Sequence, residues 1–120
     1  MLDAIQGTWL PITAELGGNA FPEELRQAIR LVIEGDIYTV TVGPAMDKGR
    51  VALDSASTPM RMDLAGLEGP NQGKTIRAIF EAADGQMRIC YELNGTAYPT
   101  EFKTMPGTLS FLVTYAHPPA

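Results

Sequence analysis

The sequence predicts an all-β protein: an eight-stranded antiparallel up-and-down barrel with one short helix between its first two strands. Three observations carry this expectation. Two hairpins come into register around the two-residue turns Gly35-Asp36 and Asp84-Gly85. Further alternating segments bring the strands to a number that can close on itself. A Gly7-Thr8-Trp9 tripeptide opens the first strand, and the whole chain after it reads as a meander.

The first strand is expected over about 8–16. A helix follows, with Pro22 at its first position, Glu23 and Glu24 in its first turn and Arg30 in its last. Phe21, Leu25 and Ile29 recur at helical spacing as an apolar stripe, which suits a helix packed on the barrel wall, the alternative being a lid over the mouth. The Gly35-Asp36 turn sets Ile33 opposite Tyr38 and Leu31 opposite Val40, with Val32 and Thr39 on the other face. Strands follow over about 49–53 and 60–65, the latter alternating Met60, Met62 and Leu64 with Arg61 and Asp63.

The hairpin at Asp84-Gly85 is the clearest local structure. A type I′ turn there pairs Ala82 with Met87, Phe80 with Ile89, Ala78 with Tyr91 and Ile76 with Leu93 on one wholly apolar face. The other face pairs Glu81 with Arg88 and Arg77 with Glu92, with Ile79 and Cys90 between them. A slip of one residue would destroy both patterns. The last strand, about 109–115, alternates Leu109, Phe111, Val113 and Tyr115 with Ser110, Leu112 and Thr114.

In such a meander the connections alternate between the two ends. The tight turns and Trp9 fall at one end, and the long connections 17–30, 66–73 and 94–108 fall at the other. The mid-length connections 43–48 and 54–59 go one to each end. Long loops on a rigid scaffold are where binding concentrates.

Bulk properties narrow the function classes. The chain has 120 residues, 45% hydrophobic and 19% charged, enough for one domain with its own core. A net charge of −5 argues against nucleic acid as a partner, since a phosphate backbone calls for a basic face. Cys90 is the single cysteine, so no intrachain disulfide forms. No apolar run has the length of a membrane span, and no signal peptide is visible in Met1-Leu2-Asp3-Ala4, so a cytoplasmic location is expected. Asn94-Gly95-Thr96 matches a glycosylation sequon but reads as a turn.

Several segments, in this order, carry a resemblance: Gly7-Thr8-Trp9, Pro22-Glu23-Glu24-Leu25, Glu34-Gly35-Asp36, Asn71-Gln72-Gly73-Lys74-Thr75, Met87-Arg88-Ile89-Cys90 and Pro99-Thr100-Glu101-Phe102. Together they resemble a group of uncharacterised bacterial domains, frequent in planctomycetes, that are described as lipocalin-like. The resemblance covers nearly the whole chain and implies a fold without a catalytic residue set. In the broader calycin group an early Gly-x-Trp plugs the closed end of the barrel, a role that falls here on Gly7 and Trp9. A late Arg commonly packs on that Trp. No Arg follows Arg88, which points outward beside Glu81, so the group that covers the indole is left unassigned.

Signatures of catalysis are weak. His117, the single histidine, sits in the tail His117-Pro118-Pro119 and reads as a frayed surface residue rather than half of a catalytic pair. Cys90 lies mid-strand and reads as a small buried hydrophobe. Glu23, Glu24, Asp47 and Asp54 have no His or Cys at ligand spacing and read as solvated surface, so no metal and no cofactor are expected. Gly73-Lys74-Thr75 resembles the end of a phosphate loop, but Glu68 stands where the leading Gly belongs and a strand follows where a helix should.

The interior is the remaining candidate. Tyr38, Val40, Met62, Ala78, Phe80, Tyr91, Phe111 and Val113 are expected to point inward, joined by Ile12 if a bulge near Pro11 resets its parity. A filled core and a small apolar cavity fit these residues equally well. The leading expectation is non-enzymatic binding of a small, largely apolar ligand entering between the long loops. Tyr38 and Tyr91 would orient it, Met62, Phe80 and Phe111 would supply contact area, and Glu101 would offer a polar contact at the mouth. Two alternatives stand beside it. One is a filled-barrel interaction module with a protein partner, or a homodimer paired through an edge strand. The other is a cofactor-independent enzyme acting on an apolar substrate, with Glu101 or a Tyr as proton carrier.

Overall fold

A computed structural model describes residues 2–94 and 97–118. The chain runs through a 3-10 turn at Leu2–Ile5, β1 (Gly7–Leu16), the two-residue β2 (Asn19–Ala20) and α1 (Glu23–Gln27). It continues with β3 (Ile29–Glu34), β4 (Ile37–Val42), β5 (Ala45–Asp54), β6 (Met60–Glu68), β7 (Thr75–Ala83), β8 (Gln86–Glu92) and β9 (Ser110–Ala116). Each strand from β3 to β9 pairs antiparallel with the next, and β1 closes the ring by pairing with both β3 and β9. The result is a closed eight-stranded up-and-down barrel, with β2 as a short appendage on β1.

The hairpin registers are those the side-chain pattern dictates. Ile33 faces Tyr38 and Leu31 faces Val40. In the later hairpin Ala82 faces Met87, Phe80 faces Ile89 and Ala78 faces Tyr91. Only the outermost expected pair, Ile76 with Leu93, falls beyond the ladder, because β8 ends at Glu92. Asp84 and Gly85 both have positive φ, 55° and 77°, as a type I′ turn requires. On the outer face an Arg88–Glu81 ion pair closes at 2.7 Å.

Three elements differ from expectation. Gly43-Pro44 forms a two-residue turn, so β5 starts at Ala45 rather than at about 49, and Val42 pairs with Ala45. The helix is only five residues long, with Pro22 at its N-cap and Arg30 already in β3. The stripe of Phe21, Leu25 and Ile29 therefore never forms: Leu25 is 51% exposed, while Phe21 and Ile29 flank the helix. β1 meets β3 only over Gly7–Trp9, which leaves the two strands splayed toward the open end. α1 lies at that splay, tied by Arg26 Nη1 donating to the Pro11 carbonyl at 3.2 Å and by Phe21 N donating to the Ala14 carbonyl at 2.9 Å. Finally, β1 does bulge between Pro11 and Thr13, but Ile12 stays outside at 44% exposure and Ala14 takes the inward place.

The lower half of the barrel is solid. Ile5, Trp9, Leu31, Met62, Phe80, Met87, Ile89 and Val113 are all buried there. Burial of each larger side chain contributes roughly 1.5–3 kcal/mol. Trp9 closes this end: its Nε1 donates to the Ile5 carbonyl at 3.0 Å, and the Leu2–Ile5 turn folds beneath it. His117 corrects its expected place as a frayed residue. Its ring lies 3.8 Å from the indole, and its Nδ1 donates to the Thr8 carbonyl at 3.0 Å. It is thus the missing cover of Trp9, and Gly7, exposed at the strand start, would bring a Cβ to within 3.4 Å of it. Gln6 bridges to the Gly35 turn, accepting from Gly35 N at 2.7 Å and donating to Gly35 O at 2.8 Å.

Candidate functional site

The upper half of the barrel is hollow. A cavity of about 310 Å³ opens among the connections at that end, with almost wholly apolar walls. It is roughly twice the ~150 Å³ of a dry protein cavity that takes up benzene. So the barrel is filled below and open above, which combines the two interiors the sequence left equal.

Its floor is a set of tyrosines. Tyr91 on β8 and Tyr115 on β9 share a hydrogen bond between hydroxyls at 2.9 Å. Tyr38 on β4 is 2% exposed, and its hydroxyl has no partner among the described residues. Burial pushes the Tyr115 and Tyr38 phenols up to about 12, the Asp47 charge adding to the effect at Tyr38. Burial likewise raises Tyr91. All three are therefore protonated at neutral pH and serve as neutral hydroxyls. Tyr38 owes its position to Gly49 opposite it, where a Cβ would stand 2.6 Å from the ring and 2.2 Å from the Ala65 carbonyl oxygen.

The walls are aromatic on one side. Phe111 on β9 lies 5.7 Å from the Tyr91 ring and 5.1 Å from Phe21, which the chain before α1 brings over the splay. On the other side Asp47 faces inward beside Val40, its partner across β4 and β5. Asp47 thus corrects its expected place on solvated surface. The loop between β6 and β7 holds it: Asn71 Nδ2 donates to one carboxylate oxygen at 2.6 Å and Asn71 N to the other at 3.3 Å. That loop is in turn fastened to β6 by Gly66 N donating to Lys74 O at 2.8 Å and Gly73 N to Gly66 O at 3.0 Å.

Of the residues the sequence singled out for a ligand, Tyr38, Tyr91 and Phe111 meet in this cavity. Met62 and Phe80 do not line it; at 1% and 0% exposure they fill the barrel below. Glu101 is not at the mouth either. It pairs with Lys103 at 2.9 Å on the outer surface, because its loop folds down the outside of the barrel. The reason is the row Ile79, Cys90 and Leu112, paired across β7, β8 and β9 on the outer face, which needs cover. Phe102 lies 4.2 Å beneath the Arg88 guanidinium, and Cys90 Sγ donates to the Lys103 carbonyl at 3.7 Å. Burial pushes the Cys90 thiol up, away from the thiolate a nucleophile needs. Gly95 and Thr96 of the expected turn lie outside the described residues.

Compared with known proteins, the chain matches no family model, no curated protein and no solved structure. The cavity's own chemistry is therefore the guide. Among the described residues no three His, Cys, Asp or Glu side chains cluster as metal ligands, and no helix is long and apolar enough to cross a membrane. Each of the eight barrel strands has a neighbour on both sides, so among the described residues no barrel strand presents a whole free edge to a second copy.

Tyr38 offers a first test. Its hydroxyl is buried with no hydrogen-bond partner among the described residues, a situation that costs about 1–3 kcal/mol. Tyr38→Phe is expected to leave the free energy of unfolding in urea unchanged or raise it by up to about 1 kcal/mol. A clear loss of stability would mean that the hydroxyl already has a structural partner.

Proposed function

We propose that this protein binds a small, largely apolar molecule in the open half of the barrel, with a polar group of that molecule reaching Tyr38. The observation that supports this most directly is the pairing of an apolar cavity of about 310 Å³ with a buried, unpartnered hydroxyl in its wall. Apolar walls reward any ligand that removes its surface from water, and a few placed polar groups fix its orientation. An orphaned hydroxyl weakens the empty protein and is satisfied in the occupied one. Val42 and Leu93, both exposed at the rim, extend the apolar path outward. The Trp9 plug with His117 laid on it, where calycins commonly set an Arg, supports kinship with lipocalin-like containers.

The test is uptake. Protein purified from its own host, sprayed gently and then denatured for mass measurement, should lose an added mass on denaturation. A neutral naphthylamine fluorophore should bind the emptied protein with blue-shifted emission. Val40→Trp, which fills the cavity from its wall, is expected to weaken that binding on the order of tenfold or more, about 1.4 kcal/mol per decade. Undiminished binding in a folded Val40→Trp protein would place the site elsewhere.

A further inference from the structure

Resting on that cavity being the binding site, we propose that its ligand carries a protonated amine: a cationic amphiphile whose ammonium sits between Asp47 and Tyr38 and whose apolar body lies against the aromatic wall. The charge inventory points this way. Asp47 is the only charged residue among those lining the cavity, which include no Lys, Arg or His. Among the described residues its two oxygens accept side-chain hydrogen bonds from Asn71 alone, a neutral partner, and no cation pairs with it. A carboxylate turned toward an apolar space without a cation is a group awaiting one.

Donor and acceptor counts agree. An ammonium has three donors and no acceptor, so it needs oxygens around it. The Asp47 carboxylate and the Tyr38 hydroxyl oxygen supply them. Gly49 opposite Tyr38 and Asp47 opposite Val40 lie two residues apart along β5, about 7 Å of strand on one inward face. The walls suit a cation as well. Phe21, Tyr38, Tyr91, Phe111 and Tyr115 put five aromatic rings around one cavity, and ring faces attract ammonium groups. A fatty-acid carboxylate meets the opposite: a like charge at Asp47 and no cationic partner in the lining.

Isothermal titration calorimetry at neutral pH with octylamine, octanol and octanoate separates these ligands at constant carbon number. Octylamine is expected to bind at least about tenfold more tightly than octanoate, with octanol between them. Asp47→Asn is expected to lower octylamine affinity about tenfold and leave octanol within about twofold, as for the loss of one charged hydrogen-bond partner. Retained octanol binding also reports that the variant is folded with its cavity intact. Octanoate binding as tightly as octylamine, or an Asp47→Asn protein with unaltered preference, would overturn the amine assignment while leaving the cavity as a site for neutral molecules. Failure of all three ligands and of the fluorophore would overturn the binding site itself.

Discussion

Trp9→Ala is expected to cost about 3–5 kcal/mol of stability, the range for removing a large buried aromatic side chain. For a barrel of this size that is a fall of roughly 10–25 °C in Tm. The indole is 2% exposed, donates to the Ile5 carbonyl and supports the His117 ring on its outer side. Its loss opens a cavity at the closed end and strips the Leu2–Ile5 turn of its anchor. His117→Ala removes only an exposed ring from the same stack and is expected to cost about 0.5–1.5 kcal/mol. The two variants can be compared by calorimetric melting. A Trp9→Ala protein within about 1 kcal/mol of the parent would mean that the rest of the core cluster, including Phe80 and Met87, closes the barrel unaided. Because the plug and the cavity occupy opposite ends, fluorophore affinity measured well below the melting point should survive the Trp9 change.

Gly49→Ala should affect both stability and binding. Its new Cβ would stand 2.2 Å from the Ala65 carbonyl oxygen and 2.6–2.7 Å from the Tyr38 ring and hydroxyl. The first contact is backbone and must be relieved by parting β5 from β6 at a point where their register already shifts. The second drives the Tyr38 ring into the cavity it borders. Overpacking of this kind costs about 1–3 kcal/mol or more. Ligand affinity is expected to fall at least about tenfold with it, since the displaced ring occupies the site. A double-mutant cycle with Tyr38→Ala divides the effect: the ring clash is relieved in the double variant and the backbone clash is not. Additivity, with no coupling between the two positions, would show that Tyr38 is not held in place by the absence of a side chain at 49.

How far the sequence carries is visible at three places. The hairpin around Asp84-Gly85 is legible in all but its outermost pair because one face is apolar and the other pairs opposite charges, so only one register satisfies both. Asp47 was missed through one dipeptide. Gly43-Pro44 is a turn signal, and a turn placed there sets Asp47 opposite Val40 and therefore inside. Reading 43–48 as a connection hides the charged residue that lines the cavity. Glu101 was misplaced because loop length tells which end a connection leaves from and not where it comes to rest. The signal lay in Ile79, Cys90 and Leu112, apolar residues on a face otherwise lined by charged pairs, which called for a covering segment.

Alternation, turn chemistry and cross-strand charge are local properties, and by themselves they determined strand order, the antiparallel pairing and which end of the barrel carries Trp9. The depth to which the interior is filled, the laying of His117 on the indole and the meeting of Tyr38 with Asp47 were decided only in three dimensions. Each depends on contacts between residues far apart in the chain, as with Asn71 holding Asp47 and Thr8 holding His117. Such contacts follow from how a closed sheet curves, where β1 bulges and splays, and how loops settle on it, and no periodicity along the chain encodes those.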